Sequence, residues 1–462
     1  MTLVIRGCMV EGEERDIGMD GGRIAWIRGP EAREPRRSAS GSTGEAAPVD
    51  GASPAADDPA PDTGSPRPAA EPTPDRVIDG HGLHAFPGLK NGHTHAAMTL
   101  FRGYGDDLPL MEWLQTRIWP AEALLTEEDV YHGTRLALVE MIRSGTTYFN
   151  DMYWHRPGVV RAVRELGLRA HVGSVFIDHG DPSGVAAGAQ REAVLEQVAE
   201  RDTLDPRIQV ALAPHAIYTV APESLEWMGA LAAENDLIVH IHLSETRSEV
   251  EACVEKHGVR PAFFLQRLGL LSPRLVLAHG VYLDAAEMDL LAESGATVVT
   301  NPTANMKLAT GGIFDYGTAR GAGLHVALGT DGAGSNNNLD MVEEMKMLAL
   351  VQKHRAEDPT ALTARDALSL ATKAPARAFR LGSGSVEPGA PADLILVDLS
   401  RASTQPVHDP VSALVYAANG NCVHTTICDG RVLMHAGRLE VADETEVVGA
   451  AVQAARALAA RA

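Results

Sequence analysis

Short apolar runs alternate with amphipathic stretches through the middle of the chain, and this alternation repeats eight times between residues 85 and 383. The apolar runs are typical of parallel strands that are buried on both faces. The amphipathic stretches have helical spacing and are clearest at Glu127–Ser144, Pro222–Asn235 and Leu339–His354. Eight strand–helix units predict an α/β fold with a closed (β/α)8 barrel of the TIM type. The predicted barrel strands are Phe86–Asn91, Thr146–Asp151, Ala170–Phe176, Ile208–Pro214, Ile238–Leu243, Leu275–Ala278, Thr297–Asn301 and His325–Thr330.

The two ends of the chain follow a different pattern, in which short strands alternate with turns. Residues 1–84 and residues 384–462 are expected to pair into one small β domain, which ends in a helix from about Glu444. A segment at about residues 30–75 is rich in Pro, Ala, Ser, Gly and Asp, which predicts a poorly ordered surface insertion, with an ordered loop as the alternative. The candidate strands of the small domain are Leu3–Arg6, Asp16–Met19, Arg23–Trp26, Asp393–Val397, Val411–Val415, Val423–Cys428 and Arg431–Met434.

Composition and charge narrow the class of partner. The formal net charge is -21, and an acidic surface argues against a nucleic-acid backbone or an anionic membrane as a partner. The four cysteines form no CxxC pair and no dense disulfide framework, which fits a reducing compartment. There is no apolar run of signal-peptide or membrane-spanning length. We therefore expect a cytoplasmic protein that binds neither nucleic acid nor membranes.

Two histidines follow the first predicted barrel strand, in the sequence His93-Thr94-His95. Because alternate residues of a strand point the same way, both imidazoles can face one ion. An HxH motif alone is a weak signal. Its position strengthens it, because active sites of TIM barrels lie at the carboxyl ends of the strands.

Three more predicted strand ends carry residues of the same kind. The fifth strand ends at His242 and is followed by Glu245, the sixth ends beside His279, and the eighth ends beside Asp331. Imidazole and carboxylate are the expected ligands of a catalytic zinc ion. We therefore predict one divalent metal, with zinc as the first choice, held by His93, His95, His242 and Asp331. His240 shares the face of His242 one layer deeper and is expected to support the site.

The remaining polar residues suggest how a hydrolase would work there. Asp331 is placed to accept a proton from a water acidified by the metal, Glu245 to shuttle protons at the substrate, and His279 to hydrogen-bond the attacking hydroxide. Each could instead be a buried structural group, and Glu245 could cap the next helix. The fourth strand contains no Lys that could bridge two metals, which favours a single ion.

These motifs resemble the amidohydrolase superfamily. Within it the chain is similar to the 5'-methylthioadenosine/S-adenosylhomocysteine deaminases, whose relatives include chlorotriazine hydrolases. The resemblance rests on residues 87–95, His242-Leu-Ser-Glu245, His279 and residues 329–337, and it spans the chain outside residues 30–75. It implies the same four metal ligands, contact of His279 with the attacking water, and protonation of purine N1 by Glu245. It also implies homo-oligomers, because related enzymes commonly form them.

The resemblance also assigns three substrate-binding residues. Trp113 matches a residue beside the purine, Glu122 one that binds the ribose hydroxyls, and His215 a further substrate contact. Without the resemblance, Trp113 would be assigned to the core, Glu122 to the solvated surface and His215 to strand-end packing.

One position departs from the family pattern. Members that accept S-adenosylhomocysteine carry an Arg at the end of the third strand, where this chain has Ser174, and residues 178–184 supply none. Arg is the natural bidentate partner of an amino-acid carboxylate. The sequence thus favours smaller nucleosides: 5'-methylthioadenosine, 5'-deoxyadenosine or adenosine.

The sequence therefore predicts hydrolytic deamination of an adenosine-type nucleoside to its inosine analogue, with release of ammonia. Two alternatives stay open. One is an aminohydrolase or dechlorinase acting on an s-triazine or another heterocycle. The other is a metal-binding protein without catalytic activity, although the presence of both Glu245 and Asp331 argues against it.

Overall fold

The computed structural model describes residues 2–30, 74–178 and 187–461, so most of the predicted insertion at 30–75 and most of the loop at 178–184 lie outside the described residues. The described strands fall into two sheets. In chain order they are β1 (Leu3–Val10), β2 (Glu13–Asp20), β3 (Arg23–Arg28), β4 (Arg76–Asp79), β5 (Leu83–Pro87), β6 (Leu89–Thr94), β7 (Thr146–Tyr153), β8 (Arg169–Phe176), β9 (Ile208–Pro214), β10 (Ile238–Leu243), β11 (Leu275–His279), β12 (Thr297–Thr300), β13 (His325–Leu328), β14 (Leu394–Asp398), β15 (Val423–Cys428), β16 (Arg431–His435) and β17 (Arg438–Leu439).

Strands β6 to β13 form the predicted barrel. They are parallel and lie side by side in chain order, and β13 lies beside β6. Just past the end of β13, the backbone N–H of Asp331 donates to the carbonyl of His93 at 3.0 Å, and the N–H of Thr330 donates to Oδ1 of Asn91 at 3.0 Å. These two bonds tie the last strand to the first. The (β/α)8 fold is therefore confirmed.

Helices cover the barrel, as the amphipathic stretches predicted. The long helix after β6 begins with a reciprocal capping bond between Thr126 and Asp129, which satisfies backbone N–H groups that a helix start leaves free. Among the described residues, no helix has the length and apolar character to cross a membrane. The helices are α1 (Leu110–Trp113), α2 (Trp119–Glu122), α3 (Glu127–Arg143), α4 (Arg156–Leu166), α5 (Ala187–Glu200), α6 (Pro222–Asn235), α7 (Arg247–His257), α8 (Pro261–Arg267), α9 (Ala285–Ser294), α10 (Pro302–Lys307), α11 (Tyr316–Gly321), α12 (Met341–Ala356), α13 (Ala364–Leu370), α14 (Lys373–Ala378), α15 (Pro410–Ser412) and α16 (Glu444–Arg461).

The second sheet is built from both ends of the chain, as predicted. Its order is β17-β16-β15-β14-β5-β1-β2-β3, with β4 beside β1. The two ends meet where β5 pairs antiparallel with β14, Pro87 opposite Leu394. This sheet has a separate apolar cluster of its own. It includes Leu3, Ile17 and Leu396, and these three side chains are fully buried.

The first barrel strand lies later in the chain than predicted. Phe86 and Pro87 belong to β5 of the small sheet, which crosses the predicted domain limit between residues 84 and 85, and the barrel strand β6 runs from Leu89 to Thr94. Gly88 separates the two strands: its N–H donates to the carbonyl of Asp393 at 2.9 Å, and a Cβ there would lie 2.3 Å from Oγ1 of Thr147. One continuous apolar run is thus divided between two sheets.

The predicted strand at Val411–Val415 is wrong. These residues lie in α15 and in the π-helical turn Ala413–Ala417 that follows it. The carboxylate of Asp409 accepts the N–H groups of Val411 and Ser412, and Pro410 occupies the first turn, where its missing N–H costs nothing. The Asp-Pro pair therefore favours a helix start at this position over a strand.

Candidate active site

The carboxyl ends of four barrel strands bring five predicted residues together. Nε2 of His93 and Nε2 of His95 each lie 3.4 Å from Oδ1 of Asp331, and Nε2 of His242 lies 3.3 Å from Nε2 of His95. Possible ligand atoms of His93, His95 and His242 lie within 4.8 Å of one another, and so do those of His93, His279 and Asp331. All five side chains are largely buried. This spacing would allow the side chains to hold a metal ion.

Two of the imidazoles are oriented by backbone carbonyls. Nδ1 of His95 donates to the carbonyl of Met152 at 2.6 Å, and Nδ1 of His242 donates to the carbonyl of His215 at 2.8 Å. A neutral imidazole that donates from Nδ1 keeps a lone pair on Nε2. The two Nε2 atoms that face the cluster are therefore ready to bind a metal.

His93 is held from behind by a second histidine. Its Nδ1 lies 2.8 Å from Nε2 of His240, and its own Nε2 is buried without a hydrogen-bond partner among the described residues. Burial lowers the pKa of His93 to about 4, so the ring is neutral at neutral pH. A buried lone pair without a partner is costly unless an ion takes it. The four predicted donors, three imidazoles and one carboxylate, thus fit zinc.

Backbone strain is concentrated at the same strand ends. Asp331 has a φ of 64° and His279 a φ of 75°. Both lie in the left-handed region, which residues other than glycine rarely adopt. The N–H of Gly332 donates to Oδ1 of Asp331 at 2.7 Å, and Thr94 donates to its carbonyl at 3.0 Å. These bonds hold the strained turn and fix the carboxylate beside the imidazoles.

Glu245 lies on the turn after β10. Its Oε2 is 3.8 Å from Nε2 of His279. Burial, and secondly the negative charge of Asp331, raise the pKa of Glu245 to about 8. A carboxyl group with such a pKa can carry a proton at neutral pH, as a general acid requires. Glu245 does not cap α7, because the side chain of Thr246 does so.

The cluster opens into a cavity that holds about 660 Å³ of empty space, including open solvent at its mouth. Of the predicted site residues, only His93 does not line it; it lies behind the others. Trp113, Glu122 and His215 all line it, as the resemblance implied. The cavity is lined by His95, Met98, Leu110, Trp113, Leu114, Ile118, Trp119, Glu122, Met152, Tyr153, Trp154, Val175, Ile177, His215, Tyr218, His242, Glu245, His279, Leu308, Asp331 and Ser335.

The three predicted substrate-binding residues are held in place by burial or by hydrogen bonds to neighbouring residues. Nε1 of Trp113 donates to the carbonyl of Tyr104 at 3.2 Å, and Nδ1 of His215 lies 2.9 Å from the hydroxyl of Thr219. Burial raises the pKa of Glu122 to about 7, and interactions with two neighbouring side chains only partly oppose this. A buried carboxylate at a cavity wall is an acceptor that a polar ligand can satisfy.

Residues 102–122, which we call the roof segment, cover the cavity. The segment supplies Trp113 and Glu122 and is fastened on the far side of the mouth: Nζ of Lys307 donates to Oδ1 of Asp106 and to Oδ1 of Asn337, both at 2.7 Å. Asn337 donates in turn to the other Asp106 oxygen at 3.1 Å. These bonds tie the roof segment to α10 and to the loop after β13.

The wall near Ser174 is apolar. Ser174 does not line the cavity, whereas Val175 and Ile177 of the same stretch do. Among the described residues that line the cavity there is no Arg and no Lys. The described part of the wall therefore offers no cation to a carboxylate group.

Two buried residues near the cluster were not singled out from the sequence. The carboxylate of Glu249 accepts the N–H of Ser244 and the N–H of Glu245, both at 2.9 Å, and so fixes the turn that carries Glu245. Nδ2 of Asn305 lies 3.0 Å from Nδ1 of His279. Glu249 could have been predicted from its position in the first turn of α7, just after Glu245. Nothing local in the sequence indicates a role for Asn305.

Comparisons with known proteins agree with this geometry. The amidohydrolase family model matches residues 85–433. The 5'-deoxyadenosine deaminase of Methanoregula boonei is 50% identical over 84% of this chain and 87% of its own length. The 5-methylthioadenosine/S-adenosylhomocysteine deaminase of Halobacterium salinarum is 47% identical over 84% of this chain and 90% of its own length.

Solved structures give the same result. The crystal structure of an adenosine deaminase from Xanthomonas campestris with bound zinc has a TM-score of 0.86 and 34% identity, covering 99% of this chain and 98% of that one. Atrazine chlorohydrolase from Arthrobacter aurescens TC1, complexed with zinc, has a TM-score of 0.82 at 22% identity, covering 98% of this chain and 100% of that one, and shares the fold. The chain belongs to the amidohydrolase family, and it is a hydrolytic deaminase.

Proposed function

We propose that this protein is a zinc-dependent deaminase of adenosine-type nucleosides, which it converts to the inosine analogues with release of ammonia. The observation that carries the proposal is that one cavity holds three kinds of group: the imidazole and carboxylate cluster, the protonatable Glu245 and the buried acceptor Glu122. The deaminases of Methanoregula boonei and Halobacterium salinarum, which are 50% and 47% identical to this chain, support the same substrate class.

His93, His95, His242 and Asp331 would hold the ion. When bound, zinc supplies a water molecule whose pKa is lowered to about 7. We propose one ion rather than two, because β9 contributes no Lys to bridge a second metal. Asp331, fixed by its bond from Gly332, accepts the proton that the attacking water loses.

Glu245 carries the proton that the purine requires. With a pKa of about 8 it holds a proton at neutral pH and donates it to N1 of the ring as water attacks C6. Water attack at C6 and proton transfer to N1 give a tetrahedral carbon that bears the amino group. The amino group leaves as ammonia with the proton held by Asp331. The proton of the new hydroxyl returns to Glu245, which leaves the 6-oxo ring. His279, 3.8 Å from Glu245, donates a hydrogen bond to the attacking oxygen.

Glu122 and the apolar wall select the substrate. A carboxylate is a good bidentate acceptor for a vicinal diol, so Glu122 is assigned to the ribose 2' and 3' hydroxyls, with Trp113 beside the purine and His215 as a further substrate contact. Val175 and Ile177 offer apolar surface, and Ser174 cannot pair with a carboxylate. The proposed substrates are therefore 5'-deoxyadenosine, 5'-methylthioadenosine and adenosine, ahead of S-adenosylhomocysteine.

The proposal is tested with a substrate panel on the zinc-loaded protein, following the ultraviolet change of adenine to hypoxanthine. Glu122→Gln should lower kcat/KM for 5'-deoxyadenosine by about 10²–10³, the value of one or two hydrogen bonds to a charged group. The matched control is Glu112→Gln, an exposed residue of the roof segment. Glu112→Gln should leave kcat/KM unchanged.

The substrate supplies the second half of a double-mutant cycle. The wild-type enzyme should lose a similar factor with 2',3'-dideoxyadenosine relative to adenosine, and Glu122→Gln should add no further loss with the dideoxy compound. Equal sensitivity of both nucleosides to Glu122→Gln would remove Glu122 from the ribose site. If no 6-aminopurine nucleoside is turned over while an s-triazine is, the substrate class proposed above is refuted.

A further inference from the structure

His279 differs from the other imidazoles of the cluster in what holds its Nδ1 atom. Nδ2 of Asn305 lies 3.0 Å from Nδ1 of His279, and Nδ2 of Asn301 lies 3.4 Å from it. All three side chains are buried. An amide NH2 group is a donor only, so Nδ1 of His279 must accept.

Two of the proposed ligands have the opposite arrangement. His95 and His242 direct Nδ1 at carbonyl oxygens, which only accept, so each carries its proton on Nδ1 and a lone pair on Nε2. For His279, acceptance at Nδ1 places the proton on Nε2, the atom 3.8 Å from Oε2 of Glu245. Neighbouring rings in one site are thus held in opposite tautomers by their partners.

We propose that Asn305, with Asn301 behind it, is a positioning residue that fixes His279 as the Nε2–H tautomer. This inference rests on the proposed function, in which His279 donates to the attacking oxygen. The fixed tautomer has two effects. It supplies the N–H that faces the reacting atoms, and it removes the lone pair with which His279 could compete as a ligand.

The backbone that carries the two asparagines is held by hydrogen bonds. Asn305 lies in α10, its N–H donates to the carbonyl of Asn301 at 3.0 Å, and the N–H of Thr303 in the same helix donates to the buried Glu344 at 2.9 Å. Asn301 directly follows β12 and precedes the first turn of α10. The fold thus places both asparagines beside the end of β11, where His279 lies.

The test exchanges a donor for an acceptor. Asn305→Asp presents a carboxylate that accepts from Nδ1, so the proton of His279 should move from Nε2 to Nδ1. In full-length, zinc-loaded protein with ¹⁵N-labelled histidine, the two ring nitrogens are distinguished by their ¹⁵N shifts. The His279 signal is identified as the one that His279→Gln removes. Wild type should show Nε2 protonated, and Asn305→Asp should show Nδ1 protonated.

Kinetics provide the second readout. Asn305→Asp should lower kcat for 5'-deoxyadenosine by about 10²-fold, the usual effect of losing one donor to a developing oxyanion, with little change in KM. The control is Asn421→Asp, the same exchange at an exposed side chain, which should change neither readout. A wild-type His279 protonated on Nδ1 would overturn the inference.

The spectroscopic result separates the two hypotheses. If no nucleoside is turned over but wild-type His279 carries its proton on Nε2 and Asn305→Asp moves it, the positioning role stands and the proposed substrate falls. If deamination proceeds and Asn305→Asp leaves both tautomer and kcat unchanged, the positioning role falls. Should Asn305→Asp fail to fold, the wild-type tautomer alone decides.

Discussion

Glu344 gives a prediction about stability that depends on pH. Its carboxylate is 1% exposed, accepts the N–H of Thr303 at 2.9 Å and accepts from Nδ2 of Asn336 at 3.1 Å. Burial raises its pKa from 4.5 to about 7, although those hydrogen bonds oppose the rise. The folded protein therefore binds a proton at Glu344 more tightly than the unfolded chain does.

The sign of the effect follows from this difference. Stability from protonated Glu344 is fully present below the unfolded pKa of 4.5 and is lost as the pH rises through the folded pKa of about 7. Over the window from about pH 5 to about pH 8, this one group should remove about 2–3 kcal/mol of unfolding free energy, at about 1.4 kcal/mol for each unit of pKa difference.

The assay compares Glu344→Gln with wild type by urea unfolding at both ends of that window. Glutamine does not titrate, so wild type should lose about 2–3 kcal/mol relative to Glu344→Gln between the low and the high pH. Glu357→Gln, an exposed position at the end of α12, should show no such change relative to wild type. A wild-type minus Glu344→Gln difference that is flat with pH would refute the reasoning.

Three further predictions concern the site. Glu249→Gln removes one of the two carboxylate oxygens that accept from the turn of Glu245, so it should lower kcat about 10-fold. The control Glu251→Gln changes an exposed residue of the same helix and should leave kcat unchanged. Equal rates for the two variants would contradict the positioning role of Glu249. Lys307→Met breaks the bond to Asp106 and should raise KM severalfold at low salt, less at high salt; an unchanged KM would show that this contact does not hold the roof segment. Chelation of the metal should abolish activity and lower the Tm, and zinc should restore both; full activity in the chelated protein would exclude metal dependence.

The strand ends that form the site could be read from the sequence. His93, His95, His242, His279 and Asp331 each follow a short apolar run, and parallel strands in a barrel bring their carboxyl ends to one mouth. That inference needs only the number and order of the strands. An error of two or three residues in where a strand begins or ends does not change it. The first strand lies at Leu89–Thr94, later than predicted, and the five residues still converge at one mouth.

Other features depend on contacts that the sequence does not display. Gly88 divides an apolar run because its N–H reaches Asp393, about three hundred residues away. Asn305 reaches His279 only because α10 packs at the end of β12. In contrast, the helix at Pro410 was predictable from local chemistry, since Asp409 followed by Pro410 is a helix-start signal. The prediction of a strand at Val411–Val415 relied on the β-branched and apolar residues there and gave this signal too little weight.

The roof segment has a consequence for how the specificity of this enzyme can change. The proposed metal ligands and proton carriers lie on β6, β10, β11 and β13 or on the turns just after them, whereas Trp113 and Glu122 lie together on residues 102–122, between β6 and α3. This stretch is tied to α10 by the bond between Lys307 and Asp106, and its side chains Trp113, Ile118 and Ala121 pack in the main apolar core. Two of the proposed substrate contacts thus lie in a different part of the chain from the proposed metal ligands. Changes in the roof segment would alter the surface proposed to meet the purine and the ribose without changing the residues proposed to hold the metal.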